Sequence, residues 1–181
     1  MNIETWEMST LDWSQKGDLG IVLSPSTVAN LIHSKNLEQA YLAFDDISEA
    51  TGVNKVIYPC GLSVIKTILA ALPGCTGIAR EKCLHLLGDI AGSKSAPSSP
   101  NLHRDCLLEL RQATWYFIYG LQFDDVELAS LYVDILGILG TNFDDLADRK
   151  KVSRTIAHQT FTRRSPEYDI AMIKNTIAEL N

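Results

Sequence analysis

One helical phrase recurs along this chain at roughly 40-residue intervals, the interval at which helical hairpins stack into solenoids. AYLAFDDISEATG, ending near Gly52, is echoed by EKCLHLLGDIAGS, ending near Ser93, and more faintly by SLYVDILGILGTN and DIAMIKNTIAELN. Aligning Ile47 with Ile90, Leu139 and Ile177 gives offsets of 43, 49 and 38 residues. Such a spread fits paired-helix units of unequal length, none of which can bury its apolar face alone. The chain is therefore expected to be all-α, an α-α superhelix of about four hairpins that offers a surface for holding something rather than a site for chemistry.

The chain has 181 residues, 46% of them hydrophobic and 21% charged, enough for a substantial core, and one elongated domain over 1–181 is expected. Its start, MNIETWEMSTLDW, carries acidic residues and lacks the apolar run of a secretory signal. No segment approaches the ~18 uninterrupted apolar residues of a membrane span. A soluble, cytoplasmic protein with no membrane partner is expected.

The formal net charge of −6 hides a division. Through Asp148 there are 19 acidic and 9 basic residues, a balance of −10; from Arg149 onward there are 3 acidic and 7 basic, a balance of +4. The first four-fifths would repel a phosphate backbone and attract a basic partner. Some helical-repeat folds bind duplex DNA and excise damaged bases, but on a broadly basic groove, so nucleic acid is not the expected partner. The cluster Arg149, Lys150, Lys151, Arg154, Arg163 and Arg164 reads as a solvated terminal hairpin over 149–181.

Helix punctuation divides the chain. Residues 1–20 show no sustained helical period, and Leu11, Trp13, Leu19 and Ile21 are expected to cap the open end of the first hairpin. Ser24 before Pro25 opens a short helix to about Ser34, and Asn36 opens a second, ended by Thr51-Gly52. Along that second helix Ala40, Phe44 and Ile47, joined by Leu37, Tyr41 and Ala43, read as one broad apolar face. The next helix, through Leu62, Ile65, Leu69 and Leu72, is broken by Pro73-Gly74, and its partner runs from Thr76 to Ala91. Gly92–Pro100, GSKSAPSSP, reads as an exposed, mobile loop. A long helix over 101–119 is expected next, then helices opened by Asp124-Asp125 and Asp144-Asp145, where carboxylates suit the positive end of the helix dipole, and a last helix over 167–180.

No nucleophile elbow, P-loop, H-E-x-x-H or glycine-rich dinucleotide turn occurs, so no catalytic residue and no cofactor is expected. Cys60, Cys75, Cys83 and Cys106 form no C-x-x-C pair and read as small buried hydrophobes, and no metal site is expected. Asp45, Asp46 and Glu49 differ from the capping pairs because they lie in the middle and end of a helix, where the dipole does not favour them. Asp46 aligns with Asp89 in the repeat, and Glu127 and Asp134, seven apart, share a helical face. These carboxylates form a candidate acidic face for a basic protein; they equally fit the solvated faces of an acidic chain. In RQATWYFIYG, Arg111, Trp115 and Tyr119 fall with Leu108 on a stripe of the residue types enriched at binding hot spots. The same stripe suits packing against a neighbouring repeat, the better expectation for Trp115.

Leu11-Asp12-Trp13, the segments SPSTVANLIHSKNLEQAYLAFDDIS and VIYPCGLSVIKTILAAL, and AREKCLHLLGDIAG together resemble a family of bacterial HEAT-like repeat proteins. The resemblance covers the first half of the chain and fades after Pro100. Where members of that family often carry His-Gln-Gly before the tyrosine, this chain has Val53-Asn54-Lys55-Val56-Ile57 before Tyr58, so no role of that pair transfers. The resemblance implies a HEAT-like solenoid and an immunity protein that binds and neutralises a cognate toxin domain, a basic nuclease among the candidates. A general scaffold or adaptor is the competing expectation, and either a monomer or a homodimer is compatible with exposed repeat ends.

Overall fold

A computed structural model describes residues 2–17, 20–53 and 55–164; the expected helix over 167–180, with Ile177, lies outside them, as does Leu19. The chain is mostly helical, and it divides into two compact units, residues 1–110 and 111–181.

The first unit holds α1 (Ile3–Thr10), α2 (Pro25–Ile32), α3 (Leu37–Thr51), α4 (Cys60–Ala71), α5 (Gly77–Ala91) and most of α6 (Leu102–Gln112). The start signals work as their chemistry requires. Ser24 Oγ accepts from Ser26 N with Pro25 in the first turn, and Asn36 Oδ1 accepts from Gln39 N at 2.9 Å. Pro73-Gly74 ends α4 in a 3-10 turn, Leu72–Gly74. The core collects Val28, Leu31 and Ile32 from α2, Ala40, Ala43 and Ile47 from α3, Val64, Ile65 and Ile68 from α4, and Leu84, Leu86, Leu87 and Ile90 from α5. Helix α3 packs on α2 and α5, and α2 also packs on α4 and α5.

Four local features depart from the sequence reading. Residues 3–10 are helical although no apolar period marks them, because α1 buries no side chain fully: Ile3 and Trp6 are exposed. The Leu-Asp-Trp element that follows is a fastening. Trp13 Nε1 donates to Met8 O at 2.9 Å and Ser63 Oγ of α4 donates to Asp12 O at 3.3 Å. Hydrogen bonds from Ser14 and Gln15 hold the Asp12 carboxyl below its ordinary range.

Second, a small sheet of β1 (Gly52–Val53), β2 (Val56–Ile57) and β3 (Lys94–Ser95) joins the ends of α3 and α5, β1 antiparallel and β3 parallel to β2. Third, Gly92–Pro100 is tied in place: Ala96 is buried and donates its N–H to Ile57 O, and Ser95 Oγ accepts from His103 N at the start of α6. Fourth, the expected helix over 101–119 is two helices, broken at Ala113, where Thr114 Oγ1 donates to Arg111 O at 2.6 Å.

The second unit packs α7 (Thr114–Phe123), α8 (Val126–Asn142) and α9 (Ala147–Arg164) against one another. Phe117, Ile118, Leu121, Tyr132, Val133, Ile135, Leu136 and Leu139 form its core. Gly120 is required where the Tyr132 ring abuts α7, since any Cβ there would overlap the ring, and the Tyr132 hydroxyl donates to the Asp124 carboxylate. Asp144 and Asp145 lie in a 3-10 turn ahead of α9.

Candidate functional site

Helix α3 separates into two halves. Counted at about 100° per residue, Ala40, Ala43, Ile47 and Ala50 share one side, and Leu37, Glu38, Tyr41, Leu42, Asp45, Asp46 and Glu49 spread over the other. The first set is buried and every member of the second is exposed. Three small alanines let α3 approach its neighbours closely, so the large side chains Leu37, Tyr41 and Leu42 turn outward, Leu42 with 64% of its surface accessible. This corrects the placement of Leu37 and Tyr41 on the core face. The outward face therefore mixes three apolar side chains with four carboxylates, and α3 contains no basic residue.

Tyr41 is held from below. The Lys82 ammonium of α5, in a residue only 6% exposed, lies 4.0 Å from the Tyr41 ring centroid and 5.4 Å from that of Phe44, and pairs with Glu81 at 3.4 Å. A cation over a ring face fixes the ring while its other face meets solvent. At the edge of the same surface, a groove of about 370 Å³ between α2 and α3 is lined by Asn30, His33, Gln39, Leu42 and Asp46.

Asp89 does not join this face, although it aligns with Asp46. It lines a different cavity, with Ser48, Thr51, Lys55 and Ser93, where α3 and α5 end. Burial raises its carboxyl above the ordinary range, partly offset by His85 one turn away.

In the second unit Arg111 is engaged within the chain: its Nη2 lies 2.6 Å from Asp145 Oδ2 and its guanidinium 4.9 Å from the Phe143 ring. Trp115 is 59% exposed rather than packed in the core, because the break at Ala113 removes the long helix on which the stripe was counted. Tyr119 is equally exposed and its ring meets that of Phe123 at a tilt, with centroids 4.5 Å apart. Glu127 is exposed, and Asp134 is half-buried in a shallow hollow with Ile138 and Thr141.

The four thiols are buried. Burial pushes Cys60 up to about 11 and Cys106 up to about 12, and the hydrogen bond shared with Cys75, together with burial, raises Cys83 well above the usual thiol value. Among the described residues no three His, Cys, Asp or Glu side chains gather as a metal site, and no helix is long and apolar enough to cross a membrane. No family model matches this chain, and no curated protein or solved structure matches it significantly.

Proposed function

We propose that this chain is a protein-binding module, an immunity-type inhibitor that holds a basic toxin domain against the outward face of α3. The observation that carries the reading is the composition of that face: Tyr41, Leu37 and Leu42 exposed beside Glu38, Asp45, Asp46 and Glu49. Exposed apolar groups set among charges of one sign mark interaction surfaces. The carboxylates steer a basic partner into encounter, and the ring held over Lys82 supplies a preorganised anchor that loses little freedom on binding. The toxin as partner rests on the family resemblance, and work in the cytoplasm on the reading of the sequence for a secretory signal and a membrane span. The α2–α3 and α4–α5 pairs, with α2 against α4 and α3 against α5, support reading the first unit as HEAT-like hairpins.

Co-expression with the product of the adjacent gene tests the proposal. A toxic basic domain that copurifies with the chain, and whose toxicity the chain relieves, is the expected result. Loss of both effects in Asp45→Lys/Asp46→Lys/Glu49→Lys places the contact on α3. Loss in Trp115→Ala/Tyr119→Ala with the α3 variant still active transfers the contact to α7, and a non-toxic assembly partner favours the scaffold reading.

A further inference from the structure

The cavity at the ends of α3 and α5 carries its own set of ligand-seeking groups. It holds about 330 Å³, at the small end of the range for small-molecule sites. Ser48 Oγ in its wall is buried with no hydrogen-bond partner among the described residues, a destabilising state for a polar group. Lys55 also lines the cavity, with φ 62°, a left-handed backbone that a lysine adopts only when its surroundings impose it. Those surroundings are visible: the Lys55 carbonyl accepts from Lys94 N at 2.8 Å, locking the turn between β1 and β2 onto β3. Backbone strain of this kind tends to gather at ligand sites.

The lining carries charges of both signs. Asp89 and the C-terminal ends of two 15-residue helices make one wall negative. Thr51 Oγ1 and Ser93 Oγ donate back to the helix carbonyls of Ile47 and Asp89, so both hydroxyls present lone pairs as acceptors. The positive charge is that of Lys55, an exposed ammonium with no ion-pair partner among the described residues. A simple cation would meet Lys55 repulsively and a simple anion would meet Asp89 so. A small molecule carrying both charges satisfies both.

We infer that this cavity binds a small zwitterion of the α-amino-acid class, its ammonium at Asp89 and the helix ends and its carboxylate at Lys55. Binding needs no covalent step, and the site lies where α3 and α5 end.

The test is amide-resolved NMR of the full chain with a mixture of the common L-α-amino acids, followed by the individual members. Saturable shifts at Ser48, Gly52, Lys55, Asp89 and Ser93 are expected, with a Kd of about 1 mM or tighter for at least one member. The N-acetyl derivative and the amide of that amino acid, each missing one charge, should bind at least about tenfold more weakly, equivalent to about 1.4 kcal/mol. Asp89→Asn and Lys55→Met, each confirmed as folded by its spectrum, should each abolish saturation. Absence of shifts at these amides with the whole mixture would overturn the inference, as would equal binding of the acetylated and amidated forms.

Discussion

The Lys82 ammonium lies 4.0 Å from the centroid of the Tyr41 ring, joining α5 to the one aromatic side chain that α3 turns half-exposed to solvent. A desolvated cation over an aromatic face is worth about 0.5–2 kcal/mol. A double-mutant cycle of Tyr41→Leu and Lys82→Met, read by denaturant unfolding, should therefore return a favourable coupling in that range. Strictly additive effects would mean that the ring is not held by the cation.

The second unit depends on the notch at Gly120. A methyl group there would overlap the Tyr132 ring, whose hydroxyl is hydrogen-bonded to Asp124. Gly120→Ala should cost about 1–3 kcal/mol through overpacking, although alanine is the better helix former. Tyr132→Leu in the same chain should recover part of that loss. Thermal unfolding of the single and double variants checks the pair.

Asp89 sets a pH dependence with a definite sign. Its carboxyl is raised in the folded protein, so ionising it costs stability; the cost is absent below the unfolded carboxylate value and complete once pH exceeds the folded value. His85 on α5 partly offsets the rise, and Lys55 lines the same cavity. Asp89→Asn should melt higher than the parent near neutral pH, and the difference should close as pH falls toward about 4. A difference that widens on acidification would contradict this.

The thiols should be silent in the native state. Burial keeps Cys60 and Cys106 protonated at neutral pH and screens all four from reagent, Cys75 included, even though the bond from Cys83 draws its value down. Alkylation by a maleimide should proceed only on unfolding, with four equivalents incorporated in denaturant. Fast modification of any one in the folded protein would show a local opening.

Much of the helical frame was legible in the sequence because its punctuation is local. Ser24-Pro25, Asn36 and Pro73-Gly74 act on their own neighbours, and the aligned Ile47, Ile90 and Leu139 are all buried. Features that depend on distant partners were hidden. Helix α1 buries no stripe and so leaves no period, the two-residue strands are too short to show alternation, and β3 pairs with β2 from 38 positions away, Lys94 against Val56. At the candidate site Asp45, Asp46 and Glu49 could be picked out as carboxylates that cap nothing. Leu37 and Tyr41 were misplaced because their apolarity outweighed their angle on the helix; the alanines at 40, 43 and 50 were the overlooked signal. Asp89 left the acidic face because it lines a cavity beside the end of α3, with Ser48 and Thr51, a placement no repeat alignment contains.

The central claim is that the outward face of α3 captures a basic protein partner by charge. The direct measurement is the association rate constant of the copurifying toxin domain with the parent chain and with Asp45→Lys/Asp46→Lys/Glu49→Lys, across a range of salt concentrations. The account predicts that the variant associates at least about tenfold more slowly at low salt, with a flattened salt dependence and an unchanged melting temperature. Equal association rates for the two proteins at low salt would contradict it.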